Sequence, residues 1–281
     1  MSANNIAQYG PAITWVASRT TMPSSNVGNV NWDINNSVAI VSLNRPEARN
    51  ALTWDMYDAL VEACNRAEAS REVRVLIIRG SGGAFAAGTD IHQFRDFADG
   101  RAGIEYERRL DAVIDRIERL SVATIAEVDG VAAGGGCAIA MACDLRICSD
   151  RARFGVPVSR TLGNCLSMAN TARMADLLGP ALTRELLLTG RLVDAKEALA
   201  AGLATMVVDA DSLQQETAKV AAELSTRARS TIVATKAMLI RLRDHRRPAA
   251  GVADDIISAC YGSDDFKEGV RSFLEGRKPS W

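Results

Sequence analysis

A chain of 281 residues that is 48% hydrophobic and 24% charged carries enough apolar material to bury a substantial core and reads as an ordinary globular protein. Its formal net charge of −1 gives no basic field, which argues against nucleic acid as a partner. The six cysteines (Cys64, Cys137, Cys143, Cys148, Cys165 and Cys260) show no CxxC spacing and read as reduced thiols, and with only His92 and His245 no metal site is expected.

Residues 1–27 are rich in Ser, Asn, Thr and Gly and form either a mobile arm or a strap over a neighbouring subunit. They lack the basic and apolar regions of a signal peptide, and no run of the chain approaches the length of a membrane span. A cytoplasmic protein with no membrane partner is therefore expected. Val38 to Leu43 reads as a strand that Pro46 stops, and Asn50 to Ser70 carries Leu52, Met56, Leu60 and Cys64 at helical spacing. The next strand is Val73 to Ile78. Ile104 to Leu120 is a charged helix with Leu110, Val113, Ile114 and Ile117 on one face. Strand 123–128, helix 135–142 and strand 145–148 follow, then an irregular stretch from Arg151 to Gly163. A helix from Asn164 to Leu178 is ended by Gly179-Pro180, with Asn164 either capping it or binding substrate. Asp194 opens a further helix as the first residue of a capping box, and Met206 to Val208 is a last strand. From Ser212 the pattern is helical throughout, over 212–228, 231–243, 253–261 and 264–275. Alternating strands and helices of this kind predict an α/β fold with a parallel sheet.

Two glycine-rich loops stand out, each following a buried strand. Gly134-Gly135-Gly136 opens the apolar helix after strand 123–128, at a cost in backbone entropy. Either the glycines let strand and helix pack closely, or bare backbone is needed at a helix N-terminus, where unpaired amides favour negative charge. Upstream, Arg79-Gly-Ser-Gly-Gly-Ala-Phe-Ala-Ala-Gly-Thr-Asp-Ile91 makes a second such loop. A pair of loops, each offering one N–H, is what an oxyanion hole for a thioester carbonyl requires.

Phe85-Ala-Ala-Gly-Thr-Asp-Ile91 and Asp129-Gly-Val-Ala-Ala-Gly-Gly-Gly-Cys137 closely resemble the enoyl-CoA hydratase/isomerase (crotonase) superfamily. Asn44-Arg-Pro-Glu-Ala-Arg-Asn-Ala-Leu52 and the tail Asp264-Asp-Phe-Lys-Glu-Gly-Val-Arg-Ser-Phe-Leu-Glu-Gly-Arg-Lys-Pro279 follow the same pattern, so the resemblance spans roughly Gly28 to Trp281. It implies a spiral of ββα units over residues 28–210 and a helical oligomerisation region over 211–281. It also implies a homo-oligomer, trimer or dimer of trimers, acting on an acyl-CoA thioester, with no cofactor apart from the coenzyme A of the substrate itself.

Carried over residue by residue, the resemblance puts the oxyanion hole at the backbone N–H groups of Thr89 and Gly135. It assigns Ala86, Ala87, Gly88, Asp90, Ile91 and Gly134 to the thioester-binding loops. Arg49 stands where relatives hold the CoA nucleotide, or is a solvated cation at a helix start. Tyr261 and Lys267 match positions that reach a CoA cleft in relatives, although core packing is the preferred reading for Tyr261. Asp144 reads as structural and His92 as a surface residue.

The departures matter most for the chemistry. Hydratases of this family use two glutamates, and this chain has Ala138 at the first position and Val158 or Ser159 at the second. Neither replacement can act as a carboxylate acid or base. Ser159, Glu107 and Asp111 are the substitutes on offer, the last two being read first as a solvated face paired with Arg108 and Arg109. Cys165 lacks a neighbouring histidine in sequence. A hydratase, lyase or isomerase is expected, with a CoA-thioester hydrolase, a decarboxylase or a non-catalytic acyl-CoA binder as the alternatives.

Overall fold

The structure is a computed structural model that describes residues 29–281, so the expected arm lies outside the described residues. It opens with a hairpin, β1 (Val30–Asn35) and β2 (Val38–Leu43), turned at Asn36 with φ 53°. The Val30-Asn31-Trp32-Asp33-Ile34 alternation is a plain strand signal that the sequence reading passed over. Helix α1 (Trp54–Ala69) starts later than expected, because Thr53 caps it through the Met56 amide. Then follow β3 (Val75–Gly80), α2 (Gly100–Glu118), β4 (Ala123–Val128), β5 (Val131–Ala133), α3 (Gly135–Ala142) and β6 (Leu145–Ser149).

The stretch expected to be irregular holds β7 (Arg153–Gly155) and a short helix α4 (Val158–Thr161). Helix α5 (Met168–Thr189) begins at a Ser167 cap rather than at Asn164. It breaks at Gly179 (φ 73°, ψ 162°) and restarts at once on Pro180, a residue suited to a first helical turn. The Gly-Pro pair was read correctly as a stop, but the helix resumes because its later apolar residues still face the core. The chain ends with β8 (Val193–Asp194), α6 (Ala195–Ala200), β9 (Met206–Val208), α7 (Leu213–Ser225), α8 (Arg229–Arg246), α9 (Asp254–Tyr261) and α10 (Asp264–Leu274). Asp194 caps α6 as its sequence predicts.

One sheet runs β1-β2-β3-β4-β6-β9, antiparallel only at the β1 edge, and a second runs β5-β7-β8. Successive turns give one strand to each sheet and then a helix, as β4, β5 and α3 do, which is the crotonase-like spiral of ββα units. Strand alternation divides the core. Ala39, Val41, Leu76, Ile78 and Ala126 face the main core with α1, α2 and α3, whereas Val38, Ile40, Val75, Ile77 and Ile125 face α7.

Two polar anchors fix α3. Asp144 accepts from the Thr124 amide (2.7 Å) and hydroxyl (2.9 Å) and pairs with Lys236 (2.5 Å), the structural role expected of it. Arg146, buried, donates to the Cys143 carbonyl (2.5 Å) and the Ala140 carbonyl (3.3 Å), holding the negative end of α3. Helix α9 lies in a notch on α2, where a Cβ on Gly100 would fall 2.1 Å from the Ser258 carbonyl and one on Gly103 2.2 Å from the Tyr261 ring. No helix among the described residues is long and apolar enough to cross a membrane.

Candidate active site

Asn50 is the keystone of the first loop. Fully buried and left-handed (φ 55°), it accepts from the Arg45 amide (2.8 Å) and donates to the carbonyls of Ser81 (2.9 Å) and Ala84 (2.7 Å). Arg45 in turn reaches Asp90 at 2.6 Å, and His92 donates its backbone N–H to the same carboxylate. Burial works against the charged Asp90, but the bonds from His92 and Arg45 outweigh it and hold the pKa below the usual carboxylate value. The His92 ring is exposed, as expected.

The backbone between these anchors leaves one donor unused. Leu52 donates to the Gly88 carbonyl (2.7 Å) and accepts from the Asp90 amide (2.9 Å), a parallel bridge that turns the amide of the intervening Thr89 to the other side. Among the described residues the Thr89 N–H has no acceptor. On the second loop, Gly134 takes φ 50° and ψ −120°, a conformation open to glycine alone, and α3 begins at Gly135 with its first amides unpaired. The loops touch: a Cβ on Gly134 would lie 3.7 Å from the Gly88 Cα, and one on Gly136 only 2.2 Å from the Ala86 carbonyl. Close packing and bare amides, the two readings of the glycine triplet, both hold. Two free N–H groups one residue past a glycine contact, one at a helix N-terminus, can bind an oxygen that gains negative charge.

Three hydroxyls gather at the same place. Tyr57 Oη and Tyr106 Oη each lie 2.8 Å from Thr89 Oγ1, and a Cβ on Gly135 would stand 2.3 Å from Tyr57 Oη. Burial, reinforced by the nearby Glu107 charge, raises both tyrosine pKa values far above the ordinary phenol, so both hydroxyls stay protonated. Sequence reasoning missed these tyrosines. The available signal was an aromatic residue on the inward stripe of each of two amphipathic helices, ordinarily the mark of plain core.

Ala138 is buried one turn into α3, and Val158 starts α4 partly buried, so neither hydratase position carries a carboxylate. Ser159 is exposed, and its hydroxyl donates to the Leu187 carbonyl (2.8 Å), which removes it from the proton carriers on offer. Glu107 and Asp111 do not form the solvated face expected of them: Glu107 is 3% exposed and Asp111 half-buried, whereas Arg108 pairs with Asp254 and Arg109 with Asp58. Glu107 accepts from the Tyr261 hydroxyl (2.5 Å) and the Ser167 amide (2.9 Å). Burial, with the neighbouring Asp111 charge, pushes its pKa up to about 8, against the opposing bond from Tyr261. Asp111, also raised by burial, accepts from the Ser167 hydroxyl (2.7 Å) and from Asn170 (3.0 Å).

Tyr261 is 2% exposed and packs in the core, held by Glu107 and by Asn164, whose amide donates to its oxygen at 2.9 Å. Asn164 is therefore a partner of Tyr261 and not a helix cap. Replacing the true cap, Ser167→Ala, removes both the α5 cap and the bond to Asp111, and the expected loss of about 1–2 kcal/mol is read by urea denaturation. Arg49 is exposed in a left-handed turn (φ 50°), its carbonyl bonded to the Ala87 amide (3.0 Å). Ala86 and Ala87 form the loop edge beside it, and Ile91 begins the next turn. Lys267 is exposed on α10, pairs with Asp264 (3.2 Å), and lines a cavity of about 310 Å³ with Phe94, Phe97 and Phe266. Cys165 faces Cys260 rather than a histidine.

Comparison with known proteins agrees with this geometry. The family model described as enoyl-CoA hydratase/isomerase matches residues 33–281. The chain is 33% identical over 247 residues to the "Probable enoyl-CoA hydratase" of Mycobacterium bovis, covering 87% of this chain and 94% of that one. It is also 33% identical over 246 residues to the crotonyl-CoA hydratase of Syntrophomonas wolfei, covering 87% and 94%. Among solved structures, a methylmalonyl-CoA decarboxylase in complex with 2-nitronate-propionyl-CoA superposes with a TM-score of 0.83 at 28% identity, covering 91% of this chain and 98% of that one. A match over nearly the whole described chain, on a fold that brings the two glycine loops together, places this protein in the enoyl-CoA hydratase/isomerase family.

Proposed function

We propose that this chain is an acyl-CoA enzyme that stabilises a thioester enolate between the backbone N–H groups of Thr89 and Gly135. The observation that carries the reading is the unspent Thr89 amide, set beside the first amides of α3 by the Gly88–Gly134 contact. An enolate oxygen gains charge as the reaction proceeds, so fixed donors bind it more strongly than the ground-state carbonyl. Ala86, Ala87, Gly88, Asp90, Ile91 and Gly134 shape the loops around the thioester, and Arg49 and Lys267 supply cations for the CoA phosphates. The chain acts in the cytoplasm as a homo-oligomer in this proposal, the oligomer being supported by Met238, Leu239 and Leu242 on α8, each about 60% exposed.

A second reading, decarboxylation of a malonyl-type thioester, draws support from the residues at the hydratase positions. Loss of CO₂ leaves its electron pair on the α-carbon and forms the enolate without a base. Water addition, in contrast, needs acid and base groups that Ala138 and Val158 cannot supply. The likeness to the methylmalonyl-CoA decarboxylase supports the same reading.

Incubation with enoyl-, 3-hydroxyacyl-, saturated acyl- and malonyl-type CoA thioesters in D₂O, followed by mass spectrometry, tests the proposal. The expected result is deuterium at the α-carbon of at least one of them, with loss of CO₂ identifying the decarboxylase. Release of free CoA alone points to a hydrolase. Tight binding without label or product counts against an enzyme and for a non-catalytic acyl-CoA binder.

A further inference from the structure

Backbone amides can hold an enolate, but they cannot return a proton to its α-carbon, and the family's carboxylate positions are empty of acids. The three hydroxyls supply what is missing. Tyr57 and Tyr106 are buried, and among the described residues Thr89 Oγ1 is the only hydrogen-bond partner of either phenol, 2.8 Å from each. A buried O–H with no acceptor costs about 1–3 kcal/mol, so both phenols donate to Thr89 and occupy the two lone pairs of its oxygen. The hydrogen of Thr89 then has no acceptor left in the cluster. Thr89 is also the one member that is partly exposed, and its Oγ1 lies 3.4 Å from where a Cβ on Gly135 would stand. Its hydrogen is therefore free to turn toward the Gly135 side of the site, polarised by the two bonds its oxygen accepts.

We infer that the side chain of Thr89 is the proton donor to the enolate α-carbon, with Tyr57 and Tyr106 as positioning residues that orient and recharge it. The inference rests on the enolate reading above. In the step, the Thr89 O–H bond breaks as a C–H bond forms at the α-carbon, and the enolate charge collapses into the thioester carbonyl. Thr89 takes a proton from one tyrosine as it gives up its own, and after product leaves water protonates the partly exposed Thr89, which passes a proton back to that buried tyrosine. A thioester α-proton is far less acidic than a phenol, so the net transfer runs downhill. Thr89 thus acts twice, once through its main chain and once through its side chain.

The test is Thr89→Val, which keeps the amide and the side-chain shape, against Thr89→Ser, which keeps the hydroxyl. The substrate is whichever thioester of the D₂O panel takes up label fastest with the wild-type chain. Thr89→Val is expected to slow α-carbon labelling by at least about 10²-fold and to lose its preference for one face, with affinity for the thioester within about threefold. Thr89→Ser stays within about tenfold of wild type and keeps the facial preference. The double variant Tyr57→Phe/Tyr106→Phe leaves Thr89 in place but frees its hydroxyl to rotate, and is expected to scramble the face of labelling. Wild-type rate and face in Thr89→Val overturn the relay while leaving the enolate reading intact. Absence of label from every thioester with the wild-type chain overturns both.

Discussion

Replacing Gly135 by alanine lowers kcat by about 10²- to 10³-fold, the range seen when one oxyanion donor is lost. The backbone of Gly135 does not require glycine, since its φ is not positive. Space is what requires it. A Cβ there would stand 2.3 Å from Tyr57 Oη, and Tyr57 is fully buried on α1 with its ring 5.9 Å from that of Trp54. Either the phenol or the Gly135 amide must move, and both belong to the site. The next nearest atoms, Thr89 Oγ1 at 3.4 Å and Tyr57 Cζ at 3.6 Å, are ordinary contacts. Removing the phenolic oxygen therefore makes room, and Gly135→Ala/Tyr57→Phe is expected to return to the activity of Tyr57→Phe alone. Steady-state kinetics on the four chains of this cycle check the coupling. Additive losses would mean that the clash is relieved elsewhere and that the two residues act separately.

Glu107→Gln reverses its effect on stability with pH. The folded chain holds the Glu107 proton up to about pH 8, whereas the unfolded chain releases it near the ordinary glutamate value of 4.5. Between these limits the folded state binds more protons than the unfolded state, so the wild type loses stability as pH rises, at about 1.4 kcal/mol per unit. The loss is absent below the lower limit and complete above the upper. Asp111, raised by burial as well, adds a loss of the same sign, and Tyr261 and Cys260 face Glu107 while Arg173, Arg247 and Asp115 face Asp111. Glutamine does not titrate and keeps an acceptor for the Ser167 amide. The variant is expected to match or fall below the wild type at pH 5 and to exceed it at pH 8, in urea midpoints measured at both. Parallel pH profiles for the two chains would show that Glu107 ionises normally in the fold.

The sequence made the sheet and its helices legible because they are long and strongly periodic. Val38 to Leu43, Val73 to Ile78 and the 104–120 helix needed no knowledge of their neighbours. The small second sheet was hidden, since β5, β7 and β8 are two or three residues long and draw their pairing from distant strands. The Thr89 and Gly135 loops were found because glycine leaves a mark in sequence. Glu107 was misread for the opposite reason: its neighbours Arg108 and Arg109 made an exposed face look complete, and only Ser167 and Tyr261, far along the chain, show that this carboxyl points inward. Tyr57 and Tyr106 carry the same lesson, because their meeting point on Thr89 depends on how α1 and α2 cross the loop.

The Gly100–Gly103 notch also sets the order in which the chain closes on itself. The residues that fill it are made long after α2 itself, and the bond that secures it joins positions 154 apart. Contacts of such long sequence separation form late, after the local hairpin and helices. A nascent chain that has not yet gained α9 leaves Glu107 solvated and ionised. Docking of α9 dehydrates that carboxyl, so completion of the native state near neutral pH is accompanied by uptake of a proton from water.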